Sequence, residues 1–240
     1  NSNAPYDPAD IDLTAIPKFE RYTINPKLLV DFDDRTHLNI GFNFTTEDRL
    51  GGDIHVIEGN GDATHRYFED NTSRRFSTQL SLTRRVGETS SVNLKNSINR
   101  FRRDIATPGY LFEGTQNSTF TEVNYITNGP KSEWISGLNL FTDHFSEVQT
   151  TSIPLRNYAQ ITLGAFVQNT LSFSDKVSLE SGLRGDYVKD YDFAWLPRLS
   201  LLYKISPALS TRIGGGLGYK SPTIFTEESE RIQYQNVLPI

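Results

Sequence analysis

"ITLGAFVQNTLSFSDKVSLESGLRGDY", residues 161–187, alternates apolar and polar side chains almost without a break. Ile161, Leu163, Ala165, Val167, Leu171 and Phe173 fall on one side of an extended chain. After Ser174-Asp175-Lys176 the pattern resumes with Val177, Leu179, Leu183 and Tyr187, while Glu180, Arg184 and Asp186 take the other side. Successive side chains of a strand point to opposite faces, so a period of two marks a strand with one apolar and one polar face. A short polar break between two such runs marks a hairpin.

The same period extends in both directions. "YTINPKLLVDF" (22–32) sets Tyr22, Ile24, Leu28, Val30 and Phe32 against Thr23, Asn25, Lys27 and Asp31, with Leu29 the exception. "LNIGFNF" (38–44), "FSTQLSL" (76–82) and "VNLKNSI" (92–98) repeat it, and helical spacing of comparable length is found nowhere. The runs predict strands of about 10–14 residues, against about 5–6 in an ordinary globular sheet. Short turns are expected at 33–35, 86–88, 128–131, 174–176 and 206–208, with longer loops at about 49–71, 104–114, 146–159 and 188–196. The expected fold is all-β: an antiparallel up-and-down meander of about ten long strands in five hairpins, tight at one end and elaborate at the other.

Composition narrows the class. With 29 acidic against 24 basic residues the net charge is −5, which gives no basic footprint for nucleic acid. There is no cysteine for a disulfide or a thiolate metal site, and no methionine, so a processed chain or an internal piece is expected. No run approaches the ~18 apolar residues of a membrane helix. The mean hydropathy of −0.46 does not exclude a membrane, because a β-barrel crosses one with alternate residues apolar. Long strands, turns short at one end, and aromatics near strand ends on the apolar face (Tyr22, Phe32, Phe44, Phe173, Tyr187, Tyr203, Tyr219) favour a barrel wall with interfacial girdles. A water-soluble β-sandwich or solenoid shares the alternation and stands as the alternative.

"IGGGLGYKSPTIFTEES" (213–229) resembles a phosphate loop only superficially. A P-loop needs glycine directly before its lysine, whereas Tyr219 precedes Lys220, and Pro222 stands where a helix should begin. Gly214, Gly216 and Gly218 are instead expected on the polar face of a last strand, making room for another backbone.

The surrounding "PRLSLLYKISPALSTRIGGGLGYKSPTIFTEE" (197–228) resembles TonB-dependent outer-membrane receptors, whose glycine-studded strand leads into a G-[FY]-[KR]-x-P motif. Gly218, Tyr219, Lys220 and Pro222 match that motif. "TINPKLLVDFDDRTHLNIGFNFTTEDRLGGD" (23–53) and "SLESGLRGDY" (178–187) are similar to a mid-barrel hairpin and a recurring Leu-Arg-x-Asp strand of the family. The resemblance implies a 22-stranded transmembrane barrel around an N-terminal plug that binds TonB, in the outer membrane of a Gram-negative bacterium. It also implies uptake of a scarce nutrient such as a ferric siderophore, cobalamin, haem or a glycan. Residues 19–240 are then expected to be a partial barrel domain of a larger receptor, since no plug or coupling box is evident. Residues 1–18 are expected to be an N-terminal loop or appended segment. The alternative from another class is a secreted, soluble β-sheet protein for adhesion or glycan binding.

Candidate sites follow from position. The loop 49–71 carries His55, His65, Tyr67 and Phe68, the expected ligand contacts, because binding concentrates in loops on a rigid scaffold. A transition-metal site there would need imidazole and carboxylate converging from separate turns, and none is assigned. Glu180, Arg184, Asp186, Arg198 and Arg212 are expected to face the lumen or plug. The arginine doublets 74–75, 84–85 and 102–103 are read as a solvated charged rim, or as contacts to outer-membrane lipid. No G-x-S-x-G elbow accompanies the four histidines, so neither a catalytic residue nor a cofactor is expected. The expected partners are TonB through the plug, membrane lipid, and a small-molecule or glycan ligand.

Overall fold

A computed structural model describes residues 2, 4–149 and 154–240. Among them are eleven strands: β1 (Lys18–Ile24), β2 (Lys27–Asp33), β3 (Thr36–Gly52), β4 (Phe68–Arg85), β5 (Ser90–Thr107), β6 (Tyr110–Asn128), β7 (Ser132–Glu147), β8 (Tyr158–Ser172), β9 (Val177–Val188), β10 (Asp192–Ser206) and β11 (Leu209–Gly216). Two short helices, α1 (Ile54–Ile57) and α2 (Glu227–Arg231), lie in the connections. Every neighbouring pair is antiparallel and consecutive from β3 to β11, so the sheet is one open meander.

Three details differ from the sequence expectation. The run 22–32 is two strands, because Pro26 cannot donate to the ladder; β1 and β2 both pair with β3, on either side of the break. The expected loops at 104–114 and 188–196 are largely strand. β5 and β6 stay paired up to Thr107 and Tyr110, leaving Pro108-Gly109 as the turn, and β9 joins β10 through 189–191. Alternation persists there with charged partners, which hid the strands in the sequence. Seven strands, β3 to β8 and β10, are consequently longer than expected, reaching 19 residues in β6, while β1, β2 and β11 are shorter.

The two faces decide the class. On β8, Gln160 and Thr162 are 8% and 5% exposed while Ile161 and Leu163 are 43% and 56% exposed. On β7 Asn139 and Asp143 are buried, as is Phe145 under the returning tail, while Leu138 and Leu140 are exposed; on β9 Asp186 is buried and Leu183 and Tyr187 are exposed. A water-soluble sheet would do the reverse. Here polar side chains line the inner face, where they satisfy one another, as in Asn93 to Asn124 (2.9 Å) and Gln116 to Asp143 (2.9 Å). Apolar side chains cover the outer face, which fits lipid as the outer solvent.

The outer apolar band has limits. It runs Leu38–Phe44 on β3, Leu82 to Phe76 on β4 and Val92–Ile98 on β5; beyond it the same face carries Thr46, Asp48, Arg74, Arg100 and Arg102. Strands of 15–19 residues, tilted about 40°, rise about 40–50 Å, more than the ~30 Å hydrocarbon core. The wall therefore projects beyond the bilayer at the end carrying the 53–67 and 148–157 connections. This is the loop end.

After β11 the chain does not continue the wall. Residues 217–235 turn across the inner face at the loop end and form the buried core with Ile105, Phe112 and Phe145, contributing Ile224 and Tyr234. Tyr234 stacks on Phe112 at 4.5 Å between centroids, and Phe225 meets Phe145 edge-on at 5.4 Å.

Candidate ligand site at the loop end of the wall

Inner-face positions near the loop end converge on a cleft of about 550 Å3 lined by Arg21, Arg49, Arg75 and Arg103 with Glu47 and Glu230. Register explains the convergence. Arg21 pairs with Glu47 across β1 and β3, Arg49 with Asn71 across β3 and β4, and Ser73 with Arg103 across β4 and β5. Period two sends one member of each doublet inward and the other outward: Arg75 and Arg103 line the cleft, while Arg74 and Arg102 lie on the outer face opposite each other. The rim reading of these doublets therefore covers only half of each.

Four arginines meet two glutamates here. Glu47 bridges Arg21 and Arg49, the latter at 2.7 Å, and Arg103 reaches Glu230 of α2 at 3.1 Å. Arg75 lies over the Phe101 ring, 4.8 Å from its centroid. The buried Nε of Arg49 has no hydrogen-bond partner among the described residues. A concave site with excess guanidinium and an unused donor suits an anion, because guanidinium binds oxyanions through paired donors and a cleft lined by one sign of charge focuses its field.

The 217–235 segment forms one side of this mouth. Arg156, 2% exposed, holds the segment: its Nε donates to Glu147 at 2.9 Å, another nitrogen donates to the Tyr234 carbonyl, and its guanidinium lies 5.3 Å from the Phe112 ring. Gln160 donates to the Pro222 carbonyl at 2.7 Å, and Gln233 donates to Glu69 at 3.0 Å. The sequence reading missed Arg156, Glu147 and Tyr234, which are distant in the chain and sit in no motif.

Each residue singled out from the sequence has a definite place. Within the G-[FY]-[KR]-x-P stretch, Gly218 faces open space, Lys220 is exposed, and Pro222 accepts from Gln160. Tyr219 departs from the expected outer girdle: it turns inward, and its hydroxyl donates to Asp186 at 2.9 Å. Burial and that carboxylate raise its pKa above the ordinary phenol value. Glu180 forms ion pairs with Arg198 at 3.4 Å and Arg212 at 3.8 Å, all on the inner face. Arg184 donates to Asp186 at 2.7 Å and to Asn139 at 3.3 Å. Gly214 and Gly216 also face inward, but a Cβ at either would meet carbonyls of β10 (Leu199 and Pro197, both 2.9 Å). Those two glycines therefore admit the neighbouring strand's backbone; the expected room for a separate body lies at Gly218 alone.

The four loop residues do not form one site. Tyr67 lines a separate hollow with Leu13, Pro17 and Arg49, and Phe68 opens β4 opposite Gly52. His55 and His65 stand together, ring centroids 4.3 Å apart, against Asp53, one of the five carboxylates that the sequence places in this loop. Asp53 caps α1 by accepting the His55 amide at 2.9 Å, and its second oxygen meets His65 Nδ1 at 2.9 Å. Burial would raise the Asp53 pKa, but the His65 hydrogen bond and the His55 amide outweigh it and hold it below the ordinary value. The same hydrogen bond raises His65. Asp62, accepting from the Thr64 hydroxyl and from two amides, is lowered to about 2.

The family model for the TonB-dependent receptor-like β-barrel matches residues 1–231. The chain belongs to that family. No curated protein sequence matches it. Among solved structures, a mutant of the ferric enterobactin receptor PfeA of Pseudomonas aeruginosa shares the fold with a TM-score of 0.67 at 12% identity, over 92% of this chain and 36% of that one. The siderophore receptor PirA of Acinetobacter baumannii aligns with a TM-score of 0.66 at 15% identity, over 92% of this chain and 35% of its own. The siderophore receptor PirA of Pseudomonas aeruginosa gives 0.61 at 11% identity, over 86% and 35%. The chain thus spans about a third of the length of these receptors. At such identities the likeness carries the meander and its curvature. Barrels of this family reside in the outer membrane of Gram-negative bacteria, which accords with the inverted faces.

Proposed function

We propose that the chain is a wall segment of an outer-membrane receptor that captures an anionic ferric siderophore at its outer mouth and passes it inward. The observation that carries the reading is the arginine-rich cleft at the loop end of an inside-out sheet. Iron(III) held by deprotonated catecholate or hydroxamate-carboxylate oxygens presents a rim of negative oxygen, which guanidinium recognises through paired donors. Neutral glycans and cobalamin offer no such charge, and an excess of arginine serves them poorly. The neighbouring solved receptors named for ferric enterobactin and for siderophores support the same substrate class. Inward passage would draw on TonB through a plug domain of the full-length receptor, as in the rest of the family. Glu180, Arg184, Asp186, Arg198 and Arg212 would present the polar wall along which that plug or ligand lies.

The test is uptake of radiolabelled iron into cells stripped of their own siderophore receptors and supplied with the full-length protein. A panel of anionic ferric siderophores, haem, cobalamin and a glycan would be compared with and without TonB. TonB-dependent uptake of an anionic ferric chelate, reduced about tenfold or more in an Arg49→Ala/Arg103→Ala variant, supports the reading. Uptake of cobalamin, haem or glycan in its place, or indifference to both substitutions, sinks it.

A further inference from the structure

We propose that Asp53, His55 and His65 bind a divalent transition-metal ion at the loop end, with Asp12 as the fourth ligand. One ligand atom from each of the three lies within 4.8 Å of the other two, and His55 Nε2 stands 3.7 Å from Asp12 Oδ1. The four residues come from three separate segments. Asp53 is the N-cap of α1 and His55 lies in its single turn; His65 follows the Asp62–His65 turn, closed by a 3.0 Å backbone hydrogen bond. Asp12 belongs to the N-terminal segment, whose Leu13 bridges to Asp53. Convergence of two imidazoles and two carboxylates from separate segments is what a nitrogen- and oxygen-ligating metal requires.

Two of the spacings are close to a bound state, and the three-residue cluster spans no more than 4.8 Å. Ligands about 2.0–2.1 Å from a tetrahedral zinc are about 3.3 Å apart. The His65–Asp53 pair, 2.9 Å, and the His55–Asp12 pair, 3.7 Å, already bracket that edge. Replacing the shared His65–Asp53 proton by an ion needs a shift of a few tenths of an ångström there and a rotation of the exposed His55 ring. The ligand set, two nitrogens and two oxygens, favours Zn2+, Ni2+, Cu2+ or Co2+ over Ca2+ and Mg2+, which take oxygen alone. The cluster is distinct from the arginine cleft, and an ion there would clasp the 53–67 connection to the N-terminal segment. It would thereby fix one rim of the mouth. This inference does not depend on the siderophore reading.

The test uses the full-length protein in detergent, without a histidine tag and stripped by chelator, titrated with Co2+ and then Zn2+. The expected result is one Co2+ per chain with the intense visible d–d bands of a tetrahedral site, displaced by Zn2+. His65→Gln and His55→Ala are each expected to weaken binding by tenfold or more. His37→Ala/His144→Ala, which removes the other two histidines of residues 1–240, should leave it unchanged. Both cluster variants change loop side chains, so unaltered trypsin resistance of the wall reports that they fold. An absence of Co2+ binding, a pale octahedral spectrum, or equal binding by the His55→Ala/His65→Gln double variant overturns the proposal and leaves the cluster as a capping hydrogen bond alone.

Discussion

The hydroxyl of Tyr219 donates to Oδ2 of Asp186 at 2.9 Å, while Oδ1 of the same carboxylate takes the Arg184 guanidinium at 2.7 Å. Tyr219 is in the G-[FY]-[KR]-x-P stretch just past the last strand, and Asp186 is 1% exposed on the inner face of β9. The contact marks where the chain leaves the wall and turns inward, and Gln160 on β8 secures the next step by donating to Pro222. The motif thus works as a crossing point. Its aromatic hydroxyl satisfies a buried carboxylate, and its proline ends any further strand.

Tyr219→Phe removes one donor from that carboxylate and leaves the ring. A hydrogen bond to a charged acceptor contributes about 1.5–3 kcal/mol when buried, and partial exposure of Tyr219 reduces this to about 1 kcal/mol. Trypsin cleavage after Lys220 should accelerate about fivefold, with the wall strands still resistant. Unchanged cleavage would mean the turn is held elsewhere.

Gly164 faces the same carboxylate. A Cβ there would lie 2.4 Å from Asp186 Oδ1 and 2.6 Å from Asn139 Oδ1, whereas a Cβ on Gly215 meets nothing within 4 Å. Overpacking of this kind costs about 1–3 kcal/mol, since the Arg184–Asp186–Asn139 network has to move. Gly164→Ala is therefore expected to lower the apparent melting temperature of the detergent-solubilised protein by several degrees, and Gly215→Ala to leave it nearly unchanged. Equal behaviour of the two would contradict the account.

How much of this is legible in sequence depends on the range of the interaction. Alternation such as Ile161, Leu163, Ala165 and Val167 is a property of neighbours, so the meander and the face of each strand could be read directly. The break at Pro26 was available in principle from its missing amide. The strand tips near 104–114 were obscured because both faces there carry charge, outer Arg102 and Asp104 included, once the wall rises past lipid. The inward return of the tail was not legible at all. Its contacts join Arg103 to Tyr234 and Glu69 to Gln233, more than a hundred residues apart, and no local pattern announces them. The metal-type cluster falls between these limits. Both histidines and Asp53 are visible in the loop, but the fold alone picks Asp53 from its neighbouring carboxylates and brings in Asp12.

Arg156 anchors that returning tail. It is nearly fully buried, and its guanidinium serves Glu147 and the Tyr234 carbonyl together. Lysine cannot serve both with one ammonium group, and methionine would leave Glu147 buried without its cation. Breaking a buried pair from one side costs about 3–5 kcal/mol. Arg156→Met should free residues 217–235, seen as rapid trypsin cleavage after Arg231, and Arg156→Lys should fall between it and the parent. If Arg231 stays protected in both variants, the tail is held by its aromatic stacking on Phe112 and Phe145.

Arg75 separates charge from stability. It makes no ion pair among the described residues and rests on Phe101 at the wall of the cleft. Its removal breaks no buried pair, so Arg75→Gln should melt within about 0.5 kcal/mol of the parent, the range of ordinary surface substitutions. Capture of an anionic ferric chelate should nevertheless slow, because the field of the cleft steers the approach. Salt provides the second reading. Between 0.01 M and 1 M the screening length falls from about 30 Å to about 3 Å, so the parent's association rate should drop steeply and the variant's less so. Stopped-flow binding at several ionic strengths, with the parent and Arg75→Gln side by side, gives both slopes. Parallel slopes would show that Arg75 takes no part in steering, and a flat parent would argue that the ligand is neutral.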